Sequence, residues 1–142
     1  VAKTIHVDIV SAEREIFSGE AEMVFAPAQL GEVGIAPGHA PLITRLNPGE
    51  VRVQGVDGGD RAFYVSGGML EVQPTVVTVL SDTALRAEDI DEAAALAAKQ
   101  AAEAALIDRS AAIDYAKAQA EFAEAAAQLR AIERLRRRTG RS

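Results

Sequence analysis

Two histidines, His6 and His39, and no cysteine make up the chain's stock of neutral-pH and soft-ligand chemistry. With no thiolate available, a metal centre would have to be completed by carboxylates. The 21 Asp and Glu residues are spread along the chain, and no pair stands out from ordinary solvated charge. No phosphate loop G-x-x-x-x-G-K-[ST], no G-x-G-x-x-G, no H-E-x-x-H, no EF-hand loop and no G-x-S-x-G elbow occurs. His6 alternates with apolar neighbours and falls on the polar side of a strand pattern, so exposure is expected of it. These residues predict a non-catalytic chain without a metal or cofactor site.

Two other features carry chemistry. Arg130, Arg134, Arg136, Arg137, Arg138 and Arg141 face a single Glu in residues 130–142, a local net charge of +5 in a chain of net charge −6. At the end of a helix such a cluster complements the helix dipole, and it also fits docking against an acidic partner. It is too short and isolated for broad nucleic-acid binding, which the overall negative charge and 4% aromatic content also disfavour. The second feature is Gly31–Leu42, where Gly and Pro bracket small apolar residues. It reads as a rigid loop returning into a strand, with His39 fixing the loop by a hydrogen bond or touching a partner.

The elements that must position these residues fall into two halves. Ten of the 11 Gly and all five Pro lie between Gly19 and Pro74, whereas Thr75–Thr139 contains neither. Glu88–Ser142 holds 19 Ala in 55 residues. The break predicts a β domain over 1–87 and a helical domain over 88–142. No apolar run approaches the roughly 20 residues that span a bilayer, and no signal peptide is read before the first strand.

In the first half Ile5, Val7 and Ile9 alternate with polar residues as in a half-buried strand. Further runs occupy Glu22–Phe25, Leu42–Leu46, Val51–Gln54, Ala62–Val65, Met69–Gln73 and Thr75–Leu80, and Asp57-Gly58-Gly59 is a hairpin signal. Short strands at this spacing predict a β-sandwich or flattened barrel.

In the second half a helix is expected over Glu88–Leu106, its acidic start suited to the positive end of the dipole. A break near Ile107–Ala112 follows, with Asp108 or Ser110 as cap, and a second helix spans Ile113–Arg138. Tyr115, Phe122 and Leu129 stand seven apart, with Ala118, Ala125 and Ile132 three after each. That is an a/d seam for lengthwise helix packing. Ile90, Ala94, Ala97, Ala101 and Ala104 offer the facing small-residue surface, and an antiparallel hairpin follows. Full burial of the three large side chains is worth about 5–9 kcal/mol at most. Ala-rich helices keep their own stability, so the hairpin is able to open and rebury its seam on a partner.

Several stretches, taken in order, resemble one family. They are Asp8-Ile9-Val10-Ser11-Ala12-Glu13 with Phe17-Ser18-Gly19, then Gly34-Ile35-x-Pro37-Gly38-His39-Ala40-Pro41-Leu42, then Val65-Ser66-Gly67-Gly68-Met69-Leu70-Glu71-Val72. Val77–Ala84, Asp89-Ile90-Asp91-Glu92-Ala93 and Gln128-Leu129-Arg130-x-Ile132-Glu133 complete the series. Together they resemble the epsilon subunits of bacterial F-type (F1Fo) ATP synthases over essentially the whole chain.

The resemblance implies a sandwich of about ten strands followed by a helical hairpin. It implies a non-catalytic rotor subunit of the F1 central stalk, which binds gamma and the c ring and couples ion flow to ATP synthesis or hydrolysis. It places the protein peripherally at the cytoplasmic face of the bacterial inner membrane. By the same resemblance Glu32, with His39 at the same end of the sandwich, meets the c ring. The hairpin lies folded or extends along gamma into the alpha/beta hexamer, where Arg130, Arg134, Arg136, Arg137 and Arg138 face an acidic segment of beta and restrain hydrolysis. Some relatives bind ATP through Ile/Leu-Asp-x-x-Arg-Ala, but here Ile90-Asp91-Glu92-Ala93-Ala94-Ala95 puts Ala94 in the Arg position. Weak or absent ATP binding is therefore expected. The alternative reading is a free-standing sandwich adaptor whose hairpin forms a coiled coil with another protein.

Overall fold

The computed structural model describes residues 3–107 and 115–138. The chain divides into two compact units, 1–86 and 87–142.

Nine strands are found among the described residues of the first unit: β1 (Ile5–Ser11), β2 (Glu15–Ala28), β3 (Gly31–Ile35), β4 (Leu42–Leu46), β5 (Gly49–Gly55), β6 (Asp60–Val65), β7 (Gly68–Val72), β8 (Val76–Ser81) and β9 (Ala84–Arg86). Their order is β1-β8-β7-β4-β2-β5-β6-β9, with β3 on β2 and a further β1–β2 pairing that folds the strands around a common core. All pairings are antiparallel except β1–β8. Ile5, Val7 and Ile9 point inward together with Val24, Val51, Val53, Phe63, Val65, Leu70, Val72, Val77 and Val79. The Phe17 and Phe63 rings meet at 5.3 Å. Alternation thus buries one side of β1, as its pattern requires, whereas Ala62, Phe63, Tyr64 and Val65 of β6 are buried in succession. The expected hairpin turn joins β5 to β6, with Gly58 at φ +79° and the Gly59 amide donating to Asp57 Oδ1 at 3.0 Å.

The strand that organises the unit is longer than its sequence signal. The run read as Glu22–Phe25 is the middle of the 14-residue β2. Its first part pairs with β1, its middle with β5 and its end with β3, with an irregularity between Ala21 and Met23. Ser18, Gly19 and Glu20 lack strand propensity, and their pairing with β1 supplies the hydrogen bonding that overrides it. Gly31–Leu42 is likewise not all loop, because Gly31–Ile35 is β3. Its Gly34 reads as a turn residue but serves close packing. A Cβ there would lie 2.9 Å from Met23 Cε and 3.3 Å from the Phe25 ring.

In the second unit a 3₁₀ turn over Ala87–Asp89 precedes α1 (Glu92–Ile107), and α2 is Tyr115–Arg138. The first helix starts four residues later than expected because Asp91 caps it, its Oδ1 accepting the Ala94 amide at 3.1 Å. Contacts from Glu92 to Arg136 and from Lys99 to the Phe122 ring show an antiparallel hairpin. The buried positions of α1 are Ala95 and Ala102, while Ala94, Ala97, Ala101 and Ala104 are exposed. The face is turned by one residue from the expected one. Ala on every side of α1 leaves no hydrophobic contrast to set its phase. On α2, Ala118, Ala125, Ala127, Ala131 and Ile132 are buried and Phe122 and Leu129 half-buried. The seam therefore rests more on small residues than on large ones. Residues 108–114, with the expected caps Asp108 and Ser110, and the side chain of Tyr115 lie outside the described residues.

Candidate functional site

Three surfaces collect the side chains able to meet a partner. The first is the outward face of β1-β8-β7-β4. Register aligns Val10, Leu80, Met69 and Arg45 in one row, and Asp8, Thr78, Glu71 and Ile43 in the next. Leu80, Met69 and Ile43 are all exposed here. A pocket of about 340 Å³ opens at the edge of this face, lined by Val10, Ser11, Gly68, Met69, Leu80 and Asp82 among others. Gly68 at φ +126° lets this edge close up, since a Cβ there would lie 2.0 Å from the Leu80 carbonyl oxygen. Sequence reasoning missed the face. Its trace in the sequence is adjacent apolar pairs such as Leu42-Ile43 and Met69-Leu70, and the unbroken Val76-Val77, which put apolar groups on both sides of a strand.

His6 belongs to the same face and is half-buried rather than exposed. Cross-strand pairing brings Asp8 opposite Ser18 and His6 opposite Glu20. His6 Nε2 lies 3.0 Å from Asp8 Oδ1, the Ser18 hydroxyl donates to the same oxygen at 2.7 Å, and His6 Nδ1 is 3.5 Å from Glu20. Asp8 is two residues along β1 on the same face, whereas Ser18 and Glu20 come from the neighbouring strand β2 and were invisible in the alternation of β1. Among the described residues no group of three or more His, Asp or Glu is arranged to hold a metal ion.

The second surface is the β2–β3 end. Leu30 at the turn is fully exposed, and the Asn47 side-chain amide braces the turn by donating to the Ala28 carbonyl at 3.3 Å. Glu32 is exposed and accepts from Arg52 Nη2 at 3.0 Å. The Arg52 guanidinium also lies 4.4 Å from the Phe25 ring centroid. Its Nε is 3.9 Å from Oε1 of the buried Glu50.

Glu32 and His39 are not brought together. β3 leaves the Ala28–Gly31 end and β4 returns to it, Leu46 pairing with Ala28. His39 sits at the crossover between them, roughly 13 Å away along the strands at 3.3 Å per residue. There the Gly38 amide donates to the Pro74 carbonyl at 2.9 Å and His39 Nδ1 donates to the Ala40 carbonyl at 2.7 Å. The shared sequence segment suggested one end, but the strand between them separates the two side chains.

The third surface is the last two turns of α2. Arg130, Arg134, Arg136, Arg137 and Arg138 are all exposed. Arg136 pairs with Glu92 across the hairpin, and Arg137 with Glu133 one turn earlier on the same helix. Part of the cluster's charge is therefore already compensated within the hairpin. Of the expected seam, Ile132 lies buried beside this end. No described helix is long and apolar enough to cross a membrane.

Comparison with known proteins adds relatives to this geometry. The family model described as ATP synthase, Delta/Epsilon chain, beta-sandwich domain matches residues 4–87. Its companion, the long alpha-helix domain, matches residues 88–133. An ATP synthase epsilon chain of Nitrosococcus oceani is 70% identical over 140 residues, covering 99% of this chain and 100% of that one. One from Alkalilimnicola ehrlichii is 64% identical over 138 residues, covering 97% and 99%. In fold, the chain is similar to a chain in the Euglena gracilis mitochondrial ATP synthase OSCP/F1/c-ring structure. There the TM-score is 0.72 at 22% identity, over 86% of this chain and 76% of that one.

Proposed function

From the premise that this chain belongs to the ATP synthase delta/epsilon family, we propose that it serves as the non-catalytic epsilon subunit of an F1 central stalk. It joins gamma to the c ring and, through its hairpin, restrains ATP hydrolysis. The observation that carries the reading is the outward apolar face of β1-β8-β7-β4. Exposed Met69 and Leu80 are cross-strand neighbours, with exposed Ile43 in the next row diagonal to Met69, on a sheet whose other side is already core. An apolar patch of this kind marks a protein partner, and the family supplies gamma.

The β2–β3 end, with Glu32, is the c-ring contact. His39 is left out of that contact because it lies at the other end of β3 and β4. The protein sits peripherally at the cytoplasmic face of the membrane, held by gamma and the ring.

The hairpin is the regulatory element. When it opens, Arg130, Arg134, Arg136, Arg137 and Arg138 meet an acidic segment of beta. Charge-assisted hydrogen bonds are worth about 1.5–3 kcal/mol each in such a setting. Two or three offset the loss of a seam in which Phe122 and Leu129 are only half-buried.

The test is ATP hydrolysis by F1 stripped of this subunit, titrated with the full chain, with residues 1–86, and with the full chain carrying all five Arg→Ala changes. All three are expected to bind and only the unmodified full chain to inhibit. Equal inhibition by the five-Arg variant would remove the Arg cluster from the brake. Failure of residues 1–86 to bind would remove the sandwich as the dock.

A further inference from the structure

We infer that Arg52 is the positioning residue for Glu32. It holds that carboxylate, and with it the outer end of β3, in the pose that meets the partner. The inference rests on the proposed reading of Glu32 as a ring contact and adds a residue to it.

The geometry is specific. Among the described residues β3 pairs with β2 alone, so it is an edge strand, with Glu32 near its start. In one row across the sheet Gly34 of β3, Phe25 of β2 and Arg52 of β5 are paired neighbours. Gly34 has no side chain, and the space it leaves is taken by the Phe25 ring, which would lie 3.3 Å from an added Cβ. The Arg52 guanidinium lies over that ring and crosses β2 to reach Glu32 Oε1 at 3.0 Å.

Glu50 is buried beside it, with Oε1 3.9 Å from Arg52 Nε. A planar, delocalised cation suits this arrangement because it stacks and donates at once, whereas Lys offers a point charge. The result is a three-strand clasp, β5 to β3 over β2. It fixes one exposed carboxylate on β3, next to the turn braced by Asn47.

Holding Glu32 before the partner arrives removes the cost of ordering it on binding. Immobilising one long side chain corresponds to about a 2- to 12-fold change in affinity. The experiment uses the full chain in two measurements. Three-bond couplings report the Glu32 χ1 rotamer in wild type, Arg52→Ala and Phe25→Leu, the last keeping every charge but narrowing the platform. Titration onto a purified gamma–c-ring complex then compares wild type, Arg52→Ala, Glu32→Ala and the double variant.

The expected result is a single Glu32 rotamer in wild type and averaging in both single variants. Arg52→Ala is expected to weaken binding about 2- to 12-fold when Glu32 is present and not at all in the Glu32→Ala background. An averaged Glu32 in wild type overturns the inference, as does an equal Arg52→Ala loss in both backgrounds. If the rotamer is held by Arg52 but Glu32→Ala binds as tightly as wild type, the ring contact is what fails, and the positioning stands.

Discussion

The apolar face of the sandwich gives the sharpest prediction. Ile43, Met69 and Leu80 are exposed by 70%, 39% and 47%, which together equals roughly one and a half fully exposed side chains. Covering them with gamma removes that area from water, for about 2–5 kcal/mol at about 1.5–3 per side chain. The triple variant Ile43→Ser, Met69→Ser, Leu80→Ser forfeits that gain. It is expected to weaken binding to gamma-containing F1 by about 30- to 3,000-fold, at 1.4 kcal/mol per decade. These side chains point away from the core, so the fold is expected to survive, with each change costing on the order of 0.5 kcal/mol. Titration calorimetry against F1 stripped of this subunit measures the affinity, and thermal unfolding checks the fold. A folded triple variant with wild-type affinity would refute the placement of gamma on this face. A control at Val56, exposed in the β5–β6 turn and away from the face, is expected to leave affinity unchanged.

Two further outcomes are expected. Gly31 and Gly68 both have positive φ, but a Cβ meets nothing within 4 Å at Gly31 and the Leu80 carbonyl oxygen at 2.0 Å at Gly68. Gly31→Ala should cost about 1–3 kcal/mol in urea unfolding from backbone strain, and Gly68→Ala about 1–3 kcal/mol more from overpacking; equal losses would discount the close approach. Calorimetry of the full chain with ATP is expected to show no submillimolar binding. Ala94 lacks the cation of the nucleotide motif, and Asp91 is engaged as the α1 cap; submillimolar affinity would contradict this.

Legibility in the sequence followed contrast. β1 was plain because its polar and apolar residues alternate cleanly, and the β5–β6 turn because Asp57-Gly58-Gly59 has few other uses. β3 and β9 were hidden, one by glycines that serve packing, the other by being three residues long. The inward face of α1 was unreadable because Ala surrounds it, whereas the seven-residue spacing of Ala118, Ala125 and Ile132 on α2 marks positions that are buried. Glu32 was reached through family resemblance, but Arg52, 20 residues away in sequence, becomes its neighbour only through the pairing of β2 with both β3 and β5.

That same dependence on small residues bears on how the proposed brake works. The Glu92–Arg136 pair ties the start of α1 to the end of α2, but both side chains are nearly half-exposed. A pair in that setting contributes about 0–1 kcal/mol and is screened by salt. It therefore aligns the closed hairpin more than it holds it closed. The holding falls to the Ala-rich seam and to Ile132, whose burial does not depend on charge. In the proposed opening Arg136 would exchange one carboxylate for another, so its net contribution to the switch is expected to be small. Inhibition should accordingly weaken as salt rises even while the folded hairpin keeps its stability.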